Sequence, residues 1–590
     1  MATMIEITID GRPIKCEEGA YILDVARANG IYIPAICYLN RCSPTLACRL
    51  CLVDIDGKQA YSCNTKAKNG MVVTTNNDEI ALERRQIMEV YCINHPLECG
   101  VCDKSGECEL QNNTLETDVV EQHFAIRDTH RPIRHWDLIK YDSSLCIVCE
   151  KCITVCKDMI GDRALKTVPR GGDEISKEVK ETTPKNVYAM WNKLNKSIIG
   201  STSADPNTLD CTMCGECIAV CPVGALTSKN FQYTSNAWEL TKIPSACAHC
   251  AAGCQLYYEV KHTSVQDRTP RIYRVTNESH FQSLCGAGRF GFDFDNSVEG
   301  KDEAQFQAAL HALNKADTIA FSGYITNEEA LLLQKLKESK GYKLVCNDTR
   351  PFQKFLRTFS QYAGTTLPQG TLSAIRKSDF IVSVGSRLSN DLPMARFYLN
   401  NALTINKGSG LYFHPLNDKV IDSLSKNLLV LNHTIGSEEA VMAALIDLFA
   451  NKEQLPAHIT TMLAAYHRRE KVTITRQVKE KIKENVTETI TNEDGTTSEV
   501  TKEVVKEIEK SISEEVEVDR NGLFELMGLQ ADLTEKIMPL TEKKSQWTLI
   551  LGPDLYEHPR AENIARMAGL LQRFSPFKVV LIPPTTNALG

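Results

Sequence analysis

The distribution of cysteine constrains this chain of 590 residues more than any other feature. The chain has 23 cysteines, and all but Cys346 lie between Cys16 and Cys285. Its first residues, MATMIEITID, lack the charged and apolar regions of an export signal, so a disulfide framework is not expected. Thiols at this density in a reducing compartment indicate metal binding, and their spacing indicates the kind of metal centre.

Charge and hydropathy exclude other classes of function. The chain has 67 basic and 74 acidic residues, which gives a net charge of −7. Without a basic stripe, binding to a nucleic-acid backbone is excluded as the main role. No apolar run reaches the roughly 18 residues of a membrane span. We therefore expect a cytoplasmic-side protein that contacts a membrane only through partners.

The first candidate site lies in a strand-and-loop pattern. Ile5, Ile7 and Ile9 alternate with polar residues, which predicts a strand. The candidate ligands, spaced C-x10-C-x2-C-x11-C, are Cys37, Cys48, Cys51 and Cys63. The pattern resembles plant-type [2Fe–2S] ferredoxin domains, which implies a β-grasp fold and one [2Fe–2S] cluster over residues 1–80. A zinc site is the alternative.

The second candidate site combines one histidine with three cysteines. The candidate ligands, spaced H-x3-C-x2-C-x5-C, are His95, Cys99, Cys102 and Cys108. The spacing alone leaves zinc and an iron–sulfur cluster open. The segment HPLECGVCDKSGECELQ resembles the [4Fe–4S] segment of the large iron–sulfur subunits of NADH:quinone oxidoreductases and of related formate dehydrogenases and hydrogenases. That resemblance implies a [4Fe–4S] cluster over residues 81–121.

The third segment carries the strongest signal, a repeated C-x2-C-x2-C-x3-C run. This run is typical of two-cluster bacterial ferredoxins, in which the fourth cysteine of each run ligates the cluster of the other run. We therefore expect one [4Fe–4S] cluster on Cys146, Cys149, Cys152 and Cys221, and a second on Cys211, Cys214, Cys217 and Cys156. The predicted domain spans residues 137–231, with a polar surface insertion at residues 163–209.

The fourth segment, residues 243–299, resembles the N-terminal [4Fe–4S] domain of molybdopterin oxidoreductases. Its candidate ligands are Cys247, Cys250, Cys254 and Cys285. Active members of that superfamily commonly carry a lysine two residues after the last cysteine, where this chain has Ala287. The resemblance therefore implies a cluster without a neighbouring pterin. Residues 286–291 match G-x-G-x-x-G, but they follow a cysteine rather than a strand, which disfavours a dinucleotide site.

The second half, residues 300–590, alternates apolar strands with amphipathic helices, which predicts a doubly wound α/β domain. The expected strands are TIAFSG, KLVCND, FIVSVGS, NLLVLN, WTLILGP and KVVLIP. The segment IVSVGSRLSNDLPMARFYLNNAL resembles a turn and helix of the molybdopterin-binding fold. Cys346 is expected to be a buried thiol rather than a metal ligand, so no molybdopterin is expected.

A highly charged insertion, residues 468–520, interrupts this domain. Its alternating pattern around Glu493-Asp494-Gly495 predicts a protruding hairpin or paired helices. We interpret it as a surface insertion, with a docking arm for a partner as the alternative.

Together the motifs predict one [2Fe–2S] and four [4Fe–4S] clusters. Such clusters exchange single electrons, and no flavin or nicotinamide site is evident, so the chain is expected to conduct electrons. The motifs resemble the large iron–sulfur subunits of bacterial respiratory complex I. The resemblance implies an electron-transfer subunit of the peripheral arm, at the cytoplasmic face of the inner membrane. Its partners would be an electron-input subunit (NADH/flavin or ferredoxin-like) and the quinone-side iron–sulfur subunits.

Two other interpretations stay open. The third segment keeps all eight cysteines, whereas many complex I homologues keep one cluster there, so an iron–sulfur or catalytic subunit of a formate dehydrogenase or hydrogenase is an alternative. An iron-only hydrogenase would carry further cysteine motifs, and a formate dehydrogenase would carry a metal-ligating residue and the lysine after the last cysteine. An alternative of another class is a zinc-stabilised assembly scaffold.

Overall fold

The structure is a computed structural model that describes residues 3–121, 133–169, 181, 196–264, 266, 270–292, 302–491 and 497–588. The middle of the predicted insertion 163–209 and the turn at Glu493-Asp494-Gly495 lie outside the described residues. Within these ranges no helix is long and apolar enough to cross a membrane.

The N-terminal domain is a mixed five-stranded sheet in the order β2-β1-β5-β3-β4. The strands are β1 (Met4–Ile9), β2 (Arg12–Glu17), β3 (Leu52–Ile55), β4 (Lys58–Tyr61) and β5 (Val72–Thr74). The alternating isoleucines of β1 face a core shared with the helix Ile22–Ala28. This arrangement agrees with the β-grasp fold expected for residues 1–80.

The next two segments are built from short elements around the cysteines. Helices span Asp78–Asn94 and Glu109–Glu116, and a 3-10 turn spans Cys99–Val101. An antiparallel sheet in the order β10-β7-β6 joins β6 (Ile133–Trp136), β7 (Ile139–Asp142) and β10 (Leu226–Ser228). The ends of the predicted insertion pair as β8 (Leu165–Pro169) and β9 (Lys196–Ser201). The cysteine runs carry the helices Lys151–Thr154 and Glu216–Ala219 and the π-helix Val155–Ile160.

The fourth segment is an antiparallel meander followed by a short helix. The meander consists of β11 (Thr241–Ala246), β12 (Gln255–His262) and β13 (Pro270–Thr276), and the helix spans Gly286–Phe290. A 3-10 turn, Ala237–Glu239, precedes it. Cys285 lies directly before the helix, and the segment that carries it leaves β13 at the same end of this small sheet as the loop of Cys247, Cys250 and Cys254 between β11 and β12.

The C-terminal domain is a parallel sheet in the order β18-β17-β16-β21-β22. Its strands are β16 (Phe380–Val384), β17 (Ser409–Phe413), β18 (Leu428–Leu431), β21 (Trp547–Leu551) and β22 (Phe577–Leu581). Phe380, Val382 and Val384 belong to one hydrophobic core, and Ile381 belongs to another. The central strand β16 is therefore buried on both faces. This burial and the strand order match the predicted doubly wound architecture.

The second half of the chain is rich in helices, and those from Arg350 onward contribute residues to the cores on the two faces of this sheet. The helices of this half span Glu303–Lys315, Asn327–Lys340, Arg350–Ala363, Leu372–Lys377, Leu388–Asp391, Pro393–Ile405, Lys419–Asp422, Glu438–Phe449, Ala457–Ala464, Gly522–Leu526, Leu533–Ile537 and Ala561–Phe574, with 3-10 turns at Met538–Thr541 and Pro553–Leu555. The helix Pro393–Ile405 is almost wholly buried, because it lies between the sheet and the cysteine-rich half of the chain.

Two features of the sheet differ from expectation. The segments TIAFSG and KLVCND form β14 (Thr318–Ala320) and β15 (Lys343–Val345), which pair with each other in a separate parallel sheet. The strand β17 was not predicted, because Ser409 and Gly410 interrupt its apolar run. A Cβ at Gly410 would lie 2.3 Å from the carbonyl oxygen of Ile381, so the close approach of β16 requires glycine there.

The charged insertion folds as the predicted hairpin. Its strands, β19 (His467–Thr491) and β20 (Thr497–Asn521), form a two-stranded antiparallel sheet of their own. Asp447 holds the base, accepting hydrogen bonds from His467 at 2.7 Å and from Asn521 at 2.9 Å.

Candidate metal centres

The first cysteine run of the third segment surrounds one small cavity. Four thiols line it, those of Cys146, Cys149, Cys152 and Cys221, together with Tyr141, Ile199 and Val223. Cys221 is the last cysteine of the second run, so the fold brings together the set predicted for one cluster.

The second set is gathered in the same way. Burial raises the pKa of Cys217, and negative charge at Cys156 and Cys211 would raise it further. Burial likewise raises the pKa of Cys214 well above its ordinary value, with Cys217 among its charged neighbours. The fourth cysteine of the first run, Cys156, therefore lies near Cys217 of the second run.

The backbone of both runs winds tightly around these thiols. Val148 and Glu150 have φ of 52° and 61°, and Met213 and Gly215, at the matching positions, have φ of 50° and 70°. An L-residue in this left-handed region costs roughly 1 kcal/mol. The repeated cost indicates that the positions of the cysteines, rather than local preference, determine these loops.

Backbone N–H groups point at the sulfurs. Such donors occur at 3.3–3.5 Å in four loops, and the pairs are Val148 to Cys146, Met213 to Cys211, Ala164 to Cys156 and Gln111 to Cys108. Hydrogen bonds of this kind stabilise negative charge on sulfur, and they tune the potential of a cluster held there.

The four cysteines of the first domain are buried together. The exposed fraction is at most 3% for each of Cys37, Cys48, Cys51 and Cys63. A hydrogen bond from Cys48 lowers the pKa of Cys37 to about 5. Arg84 fixes the enclosing loop, because it donates to the carbonyl oxygens of Leu50 at 3.0 Å and Leu52 at 2.6 Å.

In the fourth segment, Cys247, Cys250, Cys254 and Cys285 are neighbours. Burial, together with charge on the other three cysteines, raises the pKa of Cys254 to about 12. Gly286 allows the loop to approach the third segment, since a Cβ there would lie 2.8 Å from the carbonyl oxygen of Met213. This contact explains the glycine-rich sequence without a nucleotide.

The second segment groups three cysteines beside the end of a helix. Burial raises the pKa of Cys108, with Cys102 and Cys99 as charged neighbours. His95 is half-buried and ends the helix Asp78–Asn94. A Cβ at Gly224 would lie 2.4 Å from the sulfur of Cys102, which places this group directly against the third segment.

These donor sets fit iron–sulfur clusters. Burying several thiols together penalises their ionised forms, and a bound cationic metal centre would offset that cost for thiolate ligands. In the described part of the chain, no group of three His, Cys, Asp or Glu side chains is arranged for a single metal ion. One of the sets, that of Cys146, Cys149, Cys152 and Cys221, surrounds a small cavity.

The other cysteines lie apart from these groups. Cys16 is on β2, and Cys92 is on the helix Asp78–Asn94 beside the Thr114 hydroxyl, at 3.7 Å. Cys42 is buried near Asp158. Cys346 follows β15 and is only half-buried, so the expectation of a buried thiol was wrong for that residue. The reason is that β15 itself is only partly buried.

Sequence reasoning missed the buried ion pairs between the segments. Arg289 contacts Glu216 at 2.5 Å, and Arg274 contacts Glu107 at 2.8 Å. Each glutamate directly precedes a cysteine, in a Gly-Glu-Cys sequence that occurs at both places. The repeated glutamate was visible in the sequence and could have indicated an ion pair. Its arginine partner could not be identified, because it lies 73 residues from Glu216 and 167 residues from Glu107.

Comparison with known families identifies the class. Residues 2–78 match a 2Fe-2S iron-sulfur cluster binding domain, residues 84–123 match the NADH-ubiquinone oxidoreductase-G iron-sulfur binding region, and residues 145–225 match a 4Fe-4S dicluster domain. The chain is therefore an iron–sulfur protein with a 2Fe-2S domain followed by 4Fe-4S domains.

Individual relatives narrow this class. The chain is 33% identical over 493 residues to NADPH-Fe(3+) oxidoreductase subunit alpha of Geobacter sulfurreducens, covering 78% of this chain and 54% of the relative. It is 34% identical over 310 residues to a G-type NADH-quinone oxidoreductase subunit of Rhizobium meliloti, covering 51% and 32%. The predicted resemblance to the large iron–sulfur subunits of NADH-quinone oxidoreductase is confirmed. The chain spans about half the length of the relative from Geobacter sulfurreducens and about a third of the length of the relative from Rhizobium meliloti.

A solved structure, an NAD+-reducing [NiFe]-hydrogenase in the H2-reduced state, matches 39% of this chain and 90% of its own at 26% identity, with a TM-score of 0.33.

Proposed function

We propose that this chain is the electron-transfer subunit of a multisubunit NADH:quinone oxidoreductase, in its peripheral arm. The observation that carries the proposal is the grouping of cysteines from distant segments into buried sets of cluster ligands, next to a region matching NADH-ubiquinone oxidoreductase-G. Iron–sulfur clusters, when bound, exchange single electrons. The chain's own residues supply the thiolates, the histidine and the N–H donors, and they exclude water.

The proposed ligands form five sets. They are Cys37, Cys48, Cys51 and Cys63 for one [2Fe–2S] cluster, and for four [4Fe–4S] clusters His95, Cys99, Cys102 and Cys108; Cys146, Cys149, Cys152 and Cys221; Cys156, Cys211, Cys214 and Cys217; and Cys247, Cys250, Cys254 and Cys285. The proposed domains are residues 1–80, 81–121, 137–231, 243–299 and 300–590.

The C-terminal domain is proposed to be a scaffold related to the molybdopterin-binding fold, without the cofactor. Ala287 supports this, because it stands where active relatives place a lysine. The proposed partners are an electron-input subunit and quinone-side iron–sulfur subunits. Through them the chain would lie at the cytoplasmic face of the inner membrane.

The test is the metal content of the anaerobically purified full-length chain, with EPR of its reduced form. We expect about 18 iron atoms per chain, from one two-iron and four four-iron clusters, and no molybdenum. C149A and H95A should each remove one EPR signal, whereas C346A should keep all of them. Zinc in place of iron would support the assembly scaffold, and molybdenum would support a formate dehydrogenase.

A second candidate is a subunit of an NADPH-dependent iron(III) oxidoreductase, favoured by the relative from Geobacter sulfurreducens, which matches 78% of this chain. The native complex purified through a tag on this chain distinguishes the two. NADH-dependent quinone reduction in the membrane fraction supports the first candidate. NADPH-dependent reduction of iron(III) in the soluble fraction supports the second.

A further inference from the structure

The two cysteine runs of the third segment fold as near copies of each other. Short helices begin at matching places, Lys151–Thr154 in the first run and Glu216–Ala219 in the second. Lys151 and Glu216 therefore occupy the same position, directly before the third cysteine of each run.

These two residues carry opposite charges, and both are buried. Lys151 is 3% exposed and Glu216 is 0% exposed. Where two sites are otherwise alike, opposite buried charges are the main electrostatic difference between them, since little water is present to screen them.

The charge of Lys151 is only partly compensated. Its ammonium lies 2.7 Å from a carboxylate oxygen of Glu109, but 40% of the Glu109 side chain is exposed against 4% of that of Lys151. Water screens the exposed carboxylate, so it offsets the buried ammonium incompletely. Burial raises the pKa of Cys149, and Lys151 is a nearby charge that opposes this rise. An excess of positive charge therefore faces the first set of cysteines.

The charge of Glu216 is balanced by a partner that is equally buried. Arg289 lies 2.5 Å from it, and the side chains are 1% and 5% exposed. The backbone N–H of Leu284 donates to the same carboxylate oxygen at 2.9 Å, and Arg289 also donates to the carbonyl oxygen of Cys214 at 3.1 Å.

A second buried pair at this site is balanced in the same way. Arg396, from the C-terminal domain, lies 3.0 Å from Asp162, and these side chains are 1% and 3% exposed. Asp162 accepts hydrogen bonds from the Thr212 N–H and hydroxyl, both at 2.7 Å. The surroundings of the second set of cysteines are therefore close to neutral.

We propose that Lys151 gives the first site, that of Cys149 and Cys152, a higher reduction potential than the second site, that of Cys214 and Cys217, where Glu216 neutralises Arg289 and so prevents a similar excess of positive charge. The inference rests on the proposed function, because it requires a [4Fe–4S] cluster at each site. Reduction adds negative charge, so a nearby buried cation favours the reduced state and a nearby anion disfavours it. Electrons then move downhill from the second site to the first.

The test is a potentiometric titration of the full-length, anaerobically purified chain, followed by EPR. K151M is expected to shift the midpoint potential of one [4Fe–4S] signal to a lower value. E216Q keeps the shape of the side chain and is expected to shift a different signal to a higher value. Either substitution should narrow the gap between the two signals.

Two further variants separate charge from packing. K151R keeps the positive charge, so it should hold the potential close to that of the parent. Lys157 adjoins Cys156, a proposed ligand of the second site, but its side chain is 51% exposed. K157M should therefore shift the midpoint potential of the second site less than K151M shifts that of the first.

The outcomes are distinct. A parent chain without iron overturns the proposed function itself. Iron-replete variants whose potentials do not move, or a shift of the same signal in both K151M and E216Q, overturn this inference alone. If the Lys151 variants lose iron, E216Q alone tests the proposal. An unchanged or lowered midpoint potential of its [4Fe–4S] signal contradicts the proposal.

Discussion

Arg274 donates two parallel hydrogen bonds to Glu107, at 2.8 Å to each carboxylate oxygen, and a third to Glu259 at 2.5 Å. Arg274 lies on β13, whereas Glu107 directly precedes Cys108 in the second segment. The arginine therefore connects the meander of the fourth segment to a loop of candidate cluster ligands.

Removing this arginine should destabilise the chain. In R274M two mostly buried carboxylates lose the guanidinium and keep only Lys104 and Lys242 as charged partners. Breaking ion pairs that are this buried costs about 3 kcal/mol. Urea unfolding of the iron-loaded chain measures the change. The control is K354M, whose ion pair with Glu562 at 2.6 Å is exposed, with an expected cost under about 0.5 kcal/mol. Equal effects in the two variants would contradict a structural role for Arg274.

Gly161 should tolerate a methyl group less well than Gly341 does. Both have positive φ, 93° and 78°, so alanine costs roughly 1 kcal/mol at either position. A Cβ at Gly161 would also lie 2.6 Å from Leu424 and 2.9 Å from Asn400, whereas at Gly341 nothing lies within 4 Å. We expect G161A to lower the free energy of unfolding by about 3 kcal/mol in total, and G341A by about 1. If G341A is as damaging as G161A, the contact with the C-terminal domain is unimportant.

Stability should depend on pH through His414. Burial lowers its pKa, but the hydrogen bond to Asp554 and the carbonyl oxygen of Leu416 outweigh burial and raise the pKa above its ordinary value. A raised pKa in the folded state means that this contribution is complete below about pH 6.5 and is lost as the pH rises through the folded value.

Urea unfolding of D554N between about pH 6 and pH 8 tests this. The difference in stability between the parent and D554N should be largest at the acidic end and should shrink toward the alkaline end. The control is D422N at an exposed carboxylate, where no pH-dependent difference is expected. A difference that stays constant over the range would rule out His414 as the titrating group.

The hairpin should be removable. His467 and Asn521 are paired across its base, so residues 468–520 can be replaced by a two-residue Asn-Gly turn. Asp447 keeps both hydrogen bonds at the base. We expect the midpoint of thermal unfolding to change by less than about 2 °C and the iron content to stay constant. A lower iron content would show that the hairpin supports the cysteine-rich half. Single-residue D447A, which removes the carboxylate that accepts hydrogen bonds from His467 and Asn521, should destabilise more than the deletion does.

Most of the predicted strands and candidate ligands came from sequence patterns only a few residues long. Cluster ligation depends on spacings of a few residues, so the runs at Cys146–Cys156 and Cys211–Cys221 could be recognised as candidate ligand sets from the sequence. The apolar runs likewise predicted β16, β18, β21 and β22, because a strand buried on both faces has few polar residues. The strand β17 escaped this rule, since its glycine is required by a neighbouring carbonyl.

The sequence by itself therefore determined the number and kind of candidate ligands, because thiols at those spacings leave few chemical options. Only the tertiary structure decided which charges face them. Glu216 and Arg289 are 73 residues apart, and Asp162 and Arg396 are 234 residues apart. Local spacing says nothing about such partners, because a buried ion pair forms wherever packing brings opposite charges together and removes water from both.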